Sequence, residues 1–239
     1  MTTKTKIAHH AQFSPEIITV IARLLEAYSI HRVHDPFAGK GVRLGQLCDE
    51  LDIKFSGTEI EPSFIEDRRV RHGDARDRRR YPRKAPWAIV TSPVYPNGMA
   101  DHHEAKDDSV RKTYRAAVKE NEGADRELHE GNMARYGYRG TKRPDEGGRS
   151  VKRKSFWEIA EDSVRNWDGA ELAIVNVSDF KAQGGVIEPF AKDWDAMMQR
   201  HGWRSINTGQ VGTKRLTYGS DDSRDERMEH EWVFVYTRS

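Results

Sequence analysis

The sequence predicts an α/β fold in which a mostly parallel sheet carries helices on both faces. Three observations carry that expectation. Short apolar runs of strand length alternate with stretches of helical periodicity over both flanks of the 239-residue chain. A Gly39-Lys40-Gly41 turn stands between the first strand pattern and the helix that follows it. The run Trp87-Ala88-Ile89-Val90 stops abruptly at Ser92-Pro93-Val94-Tyr95-Pro96, where two prolines remove backbone donors and turn the chain out of a sheet. In open α/β sheets, ligands bind just past the carboxyl ends of such strands.

Taken in order, Phe13-Ser14-Pro15-Glu16 opens a helix, with Ser14 suited to the N-cap and Pro15 to the first helical position. Ile17, Ile18, Ile21, Leu24 and Leu25 recur on one face to about Tyr28, so this helix packs on a partner. Ile30 to His34 reads as a short strand, and the glycines of Asp35-Pro36-Phe37-Ala38-Gly39-Lys40-Gly41 allow a tight turn that approaches a ligand closely. A helix from about Val42 to Leu51 buries Leu44, Leu47 and Cys48. Ile53 to Thr58 is a second strand, Ser63 to Arg68 a short helix and Val70 to Gly73 a third strand; the fourth is the run that ends at Ser92. Beyond a long polar stretch, a helix from Ser155 to Trp167 sets Phe156, Ile159, Ala160, Val164 and Trp167 on one face. Leu172 to Val177, apolar but for Asn176, is a buried central strand. Ile187 to His201 is a helix with Ala191, Trp194, Met197 and Met198 as core, Trp203 to Gly209 a sixth strand and Glu231 to Thr237 an apolar last one.

Composition narrows the class of protein. With 33% charged residues and a mean hydropathy of -0.85 the chain is polar for a compact enzyme. A formal net charge of +2 makes no global case for nucleic acid, so local clusters must carry it. One cysteine rules out an intrachain disulfide and suits a reducing cytoplasm. No apolar run approaches membrane-spanning length, and Met1 to His10 lacks the apolar centre of a signal peptide.

The strand, Gly-x-Gly and helix together suit a nucleotide-type cofactor, although the third glycine of the dinucleotide fingerprint is missing. Glu59, 18 positions past Gly41 and at the end of the second strand, is placed to accept two hydrogen bonds from a ribose diol. Asp74, at the end of the third, either accepts from an adenine amino group or caps a turn. A hydroxyl, a rigid proline carbonyl and a ring at Ser92, Pro93 and Tyr95 suit a planar base carrying an exocyclic amino group. Arg76, Arg78, Arg79, Arg80, Arg83 and Lys84 form either a solvated face or a strip that contacts phosphates. Arg135-Tyr136-Gly137-Tyr138-Arg139, followed by Lys142, interleaves cations with aromatic rings in the manner of a phosphate-contacting and base-stacking segment. No metal is expected, because neither His9-His10 nor His102-His103-Glu104 has ligand spacing.

These motifs resemble the S-adenosylmethionine-dependent amino-methyltransferases of DNA. Asp35-Pro36-Phe37-Ala38-Gly39-Lys40-Gly41 is similar to their cofactor loop and Phe13-Ser14-Pro15 to the segment before it. Glu59 matches the ribose-binding acid, Asp74 in Gly73-Asp74-Ala75-Arg76 the adenine-side acid, and Thr91-Ser92-Pro93-Val94-Tyr95 the catalytic Ser-Pro-Pro-Tyr. The terminal Glu231-Trp232-Val233-Phe234-Val235-Tyr236 resembles the last hairpin strand. The set, with Asp101-His102-His103-Glu104, is most similar to methylases of bacteriophages and their hosts.

The resemblance implies a Rossmann-like class I methyltransferase sheet of seven strands, mostly parallel, closed by a C-terminal antiparallel hairpin. It implies S-adenosyl-L-methionine as cofactor, held by Phe13, Asp35, Phe37, Gly39, Gly41, Glu59 and Asp74, and catalysis by Ser92, Pro93 and Tyr95. It implies double-stranded DNA as partner, its target base flipped, with Asn97 and the two arginine-bearing segments on the nucleic acid. Residues 1–105 and 150–239 would form the catalytic domain, 106–149 an insertion for target recognition, in a site-specific enzyme of restriction-modification type in a bacterial cytoplasm.

Val94 departs from the family's second proline, which costs the pocket rigidity but keeps both acceptors. Serine at the head of the tetrapeptide leans slightly toward cytosine N4 over adenine N6. Methylation at cytosine carbon 5 needs a thiolate, and Cys48 sits in a helix as core. Two other readings share the pocket: an RNA base amino-methyltransferase, and a nucleic-acid-binding protein that has lost activity.

Overall fold

The computed structural model describes residues 13–60, 62–84, 86–93, 156–181, 187–212 and 230–238. Ser14 caps helix α1 (Pro15–Ala27) as the sequence predicts, its hydroxyl accepting the Ile17 N–H at 3.2 Å. Strand β1 (Arg32–Asp35), helix α2 (Val42–Glu50), β2 (Lys54–Glu59), β3 (Val70–His72) and β4 (Ala88–Thr91) follow. Then come α3 (Phe156–Val164), β5 (Leu172–Val177), a small pair β6 (Phe180–Lys181) and β7 (Ile187–Glu188), α4 (Phe190–Arg200), β8 (Trp203–Gly212) and β9 (His230–Arg238).

Seven strands form one sheet in the order β3-β2-β1-β4-β5-β9-β8. The first five are parallel, and β9 runs antiparallel to both β5 and β8. The chain therefore builds outward from β1 to β3, then returns to lay β4 on the other side of β1. That reversal is a topological switch point at the carboxyl ends of β1 and β4, the place where open α/β sheets bind their ligands.

Strand alternation explains why both faces are covered. Along β5, Leu172 and Ile174 join α1 and α2 through Ile17, Ile21, Leu25, Leu44, Leu47 and Cys48. Ala173, Val175 and Val177 face the other way, into the core that Trp167, Trp194, Met197, Met198 and Trp203 complete. Strand β9 repeats the pattern with Val233 and Val235 against Phe234 and Tyr236, and its buried inward rings stack at 5.6 Å. A strand that buries both faces reads as a continuous apolar run, which is why these two were legible.

Three elements differ from expectation. The short helix over Ser63–Arg68 is a single 3-10 turn, Pro62–Phe64. Beyond it the Glu66 and Asp67 amides donate to the Lys40 carbonyl across the glycine turn, and the Asp67 carboxylate takes the Arg69 N–H, so no helical ladder propagates. The helix expected from Ile187 starts at Phe190, because Ile187–Glu188 pairs with Phe180–Lys181 instead. Pro189 offers no side-chain cap there, and the Asp179 carboxylate supplies one from the end of β5 by accepting the Ala191 N–H at 2.8 Å. Strand β8 runs on to Gly212, three residues past its expected end.

Candidate active site

The glycine turn is built as its sequence requires. Gly39 and Gly41 take φ of 54° and 70°, the left-handed region where a side chain is strained. A Cβ on Gly41 would collide with Val70 Cγ2, so close packing as well as conformation demands glycine. Glu59, 5% exposed at the end of β2, accepts the Gly39 N–H at 2.8 Å. The acid expected at the ribose thus also pins the turn.

Asp35 ends β1 and is 3% exposed. Its Oδ1 accepts the Phe37 N–H at 3.0 Å, which folds the Asp-Pro-Phe corner, and the Thr91 hydroxyl at 2.6 Å. Burial pushes its carboxyl up to about 7, partly opposed by those two hydrogen bonds. A buried carboxyl poised near neutrality favours a cationic neighbour, which would stabilise its ionised form. On the preceding residue, His34 is fully buried against Tyr81 and Trp87, its Nδ1 3.0 Å from Ser56 Oγ. Burial pulls the imidazole down to about 3, so it stays neutral.

The Thr91–Asp35 bond ties the residue before Ser92 to the start of the Asp35–Gly41 segment. Thr91 is the last residue of β4; Ser92 follows half-buried and Pro93 buried. Tyr95 and Asn97 lie outside the described residues, as do Arg135, Tyr136, Tyr138, Arg139, Lys142 and the whole of 106–149. Phe13 is buried against α1 and α2, and its carbonyl accepts from Arg43 of α2. Phe37 is partly buried on the opposite core.

Asp74 follows β3 as expected, but Arg76 holds its carboxylate through Nε and Nη2, the closest at 2.6 Å, while the Arg76 backbone N–H donates to Oδ1. The turn-capping alternative is what the local geometry displays, and any ligand of Asp74 has to share it with Arg76. Three more strip arginines are paired: Arg78 with Asp168 at 2.9 Å, and Arg79 and Arg80 with Asp77 at 2.9 and 3.7 Å. Arg79 holds the Asp77 carboxyl below its usual range. An open groove of about 450 Å³ lies here, lined by Asp74, Asp77 and Asp162 against Arg76, Arg79 and Arg165, with Asn166. Its charges balance one another.

Two features of the site were missed in the sequence. One is Thr91, whose hydroxyl at the end of an otherwise apolar run was the available signal. The other is a polar joint between β9 and the end of β5. Asp179 accepts Trp232 Nε1 at 3.1 Å, and the Asn176 amide donates to the Trp232 carbonyl at 3.2 Å. That joint depends on an antiparallel pairing 56 residues apart, which no local spacing encodes.

No protein-family model and no curated protein matches the chain. Among solved structures it is similar to the methyltransferase domain of bacterial CtHen1, at 10% identity over 93% of this chain and 97% of that one, with a TM-score of 0.49. It is similar to magnesium protoporphyrin IX methyltransferase from Synechocystis, at 10% identity over 100% and 87% of the two chains and a TM-score of 0.48. A TehB-like methyltransferase from Corynebacterium glutamicum follows at 14% identity, 91% and 86% coverage and a TM-score of 0.44. At such identities the likeness concerns the arrangement of strands and helices. That arrangement is the Rossmann-like sheet with a C-terminal antiparallel hairpin.

Proposed function

We propose that this chain transfers a methyl group from S-adenosylmethionine to the exocyclic amino nitrogen of a flipped DNA base, with cytosine N4 slightly favoured over adenine N6. The observation that supports the reading is the 2.6 Å bond from Thr91 to Asp35, which ties the residue before the two proposed acceptors to the residue that opens the Asp35–Gly41 segment.

The residues present suit the cofactor at three points. Glycines with positive φ offer bare backbone on the turn, Glu59 at the end of β2 is the acid we assign to a ribose diol, and the buried Asp35 carboxyl complements a cationic group. Bound there, S-adenosylmethionine supplies an electrophilic methyl on a positively charged sulfur.

The chain's own work falls on the other substrate. An exocyclic amino nitrogen is a poor nucleophile, because its lone pair is delocalised into the ring. Ser92 Oγ and the Pro93 carbonyl each accept one of its N–H bonds, which draws the nitrogen toward tetrahedral geometry and returns the lone pair to it. Pro93 fixes the direction of the second acceptor, and Tyr95 stacks on the extruded ring. Catalysis here is positioning and electrostatics, with no covalent intermediate on the protein.

The test is transfer of tritium from labelled S-adenosylmethionine to unmethylated DNA, to RNA and to a protein-only control, followed by mass spectrometry of the nucleosides. Label in N4-methylcytosine or N6-methyladenine of DNA is expected. Label in RNA alone replaces the DNA reading with the RNA one. Cofactor binding without transfer to either replaces it with the binding protein, for which Val94 at the second proline position is the motive.

A further inference from the structure

Thr91 joins two segments 56 residues apart in sequence. Its backbone is fixed in β4, in register with Val175 of β5, while its side chain reaches Asp35 at the end of β1. Both residues are buried, at 0% and 3% exposure, so the bond is neither exchanged with water nor incidental to a surface. The next two residues are Ser92 and Pro93.

We propose that Thr91 is a positioning residue whose hydroxyl holds the Asp35 carboxylate at the turn and thereby fixes where Ser92 and Pro93 stand relative to it. The proposal rests on the methyl-transfer reading, since it takes the turn as the cofactor's side of the crevice and the tetrapeptide as the acceptor's.

An ionised carboxylate in a dry site needs donors, and an O–H···O contact of 2.6 Å has the length of a charge-assisted bond. Among the described residues, the only other donor to Asp35 is the Phe37 N–H. None of the charged groups described nearby replaces the hydroxyl. On the turn, Lys40 is paired with Glu66. From β2, Glu59 accepts the Gly39 N–H. From α2, burial pushes the Cys48 thiol up to about 12, so it brings no charge. On β1 itself, His34 stays neutral among Tyr81 and Trp87. Strand β4 (Ala-Ile-Val-Thr) has no ionisable side chain. Deleting the hydroxyl leaves the buried carboxylate with a single donor among the described residues, and a carboxyl already titrating near neutrality then goes over to its uncharged form.

The experiment compares the full-length wild-type chain with Thr91→Val, which keeps the shape, and Thr91→Ser, which keeps the hydroxyl. Carboxyl-carbon NMR follows the Asp35 titration without any ligand, and calorimetry measures S-adenosylmethionine binding across pH. In Thr91→Val the Asp35 midpoint rises by about one unit and the affinity near neutral pH falls about fivefold, the deficit growing toward about tenfold at lower pH and shrinking at higher pH. Thr91→Ser stays within about twofold of wild type, as expected if the hydroxyl acts and the methyl does not. A Thr91→Val chain that is merely less stable, with midpoint and pH profile unmoved, overturns the proposal. A midpoint that moves and is restored by serine, in a chain that binds no S-adenosylmethionine, sustains the link between turn and strand end and overturns the methyl-transfer reading instead.

Discussion

The corner at Asp35 and the loop at Asp74 to Arg80 use the same local device to opposite ends. In each, an aspartate accepts the backbone N–H of the residue two positions on: Asp35 from Phe37, Asp74 from Arg76 and Asp77 from Arg79. The turn chemistry is identical. What differs is the second partner. Asp35 takes a buried hydroxyl at the switch point of the sheet, and its carboxyl is pushed up to about 7 by burial. Asp77 takes solvent-facing guanidiniums, and its carboxyl is held low by Arg79. Sequence dictates the turn, whereas topology decides whether its carboxylate is a poised group or a surface counter-ion.

Removing the two aspartates separates these roles most sharply. Asp35→Ala strands the Thr91 hydroxyl and the Phe37 N–H in a dry site, at about 1–3 kcal/mol for each unpaired group. Calorimetry should show S-adenosylmethionine affinity falling by more than about 100-fold. Asp77→Ala should leave that affinity within about twofold, because its partners turn to water. Tyr95→Ala is the control on division of labour: it should bind cofactor normally and fail to turn over. Equal loss of binding in Asp35→Ala and Tyr95→Ala would show that the two sides of the crevice are not separable.

A glycine in each region extends the contrast. Gly41→Ala combines a left-handed backbone with a Cβ driven into Val70 Cγ2, which belongs to a packed strand. Denaturant unfolding should place the loss at about 2–4 kcal/mol. Gly73→Ala meets an equally close neighbour, but it is the Nε of Arg80, whose long side chain can swing aside. That variant should lose less than about 1 kcal/mol. Comparable losses would mean that the arginine loop is as rigid as the turn.

The next effect is subtler because two neighbours mask each other. Asp35 has a folded pKa near 7 against 3.8 ordinarily, so its protonated form stabilises the fold at low pH, and that contribution drains away as pH rises from about 4 to 7. His34 has a folded pKa near 3 against 6.5, so its neutral form contributes stability above 6.5 that is lost as pH falls toward 3. Between about pH 4 and 6.5 the two slopes oppose and largely cancel. Asp35→Asn, which keeps an acceptor for Thr91 and Phe37, should expose the His34 slope alone. Stability then rises with pH across that window by up to about 1.4 kcal/mol per unit. A variant as flat as wild type would show that His34, and with it Asp35, is better solvated than its burial indicates.

Much of this was legible in the chain. The two-sided apolar runs of β5 and β9 named the centre of the sheet, and Ser14-Pro15 announced α1. The glycines of the turn, the acid at Glu59 and the prolines after β4 are local signals read at their own positions. The unread part depends on neighbours in space. Nothing near Asp35 in sequence says that a threonine 56 positions on will donate to it. Nothing near Pro189 says that Asp179 will cap its helix. The helix expected over Ser63–Arg68 failed for the same reason, since its amides were claimed by a carbonyl of the glycine turn.

The smallest effect on the fold should come from the arginine strip, and it tests what those cations are for. Each of Arg76, Arg78, Arg79 and Arg80 already has a carboxylate, so to grip DNA it must exchange one anion for another. Such exchange is cheap at exposed pairs, where solvent and salt screen the attraction. A phosphate array would then draw the arginines off Asp77 and Asp168 without loss to the fold. Replacing all four by glutamine should leave thermal unfolding nearly unchanged while weakening binding to every DNA sequence alike. The log-log salt dependence should flatten by roughly 0.9 for each phosphate that the strip no longer neutralises. Unaltered salt dependence would assign the strip to the solvated face and move phosphate binding elsewhere on the chain.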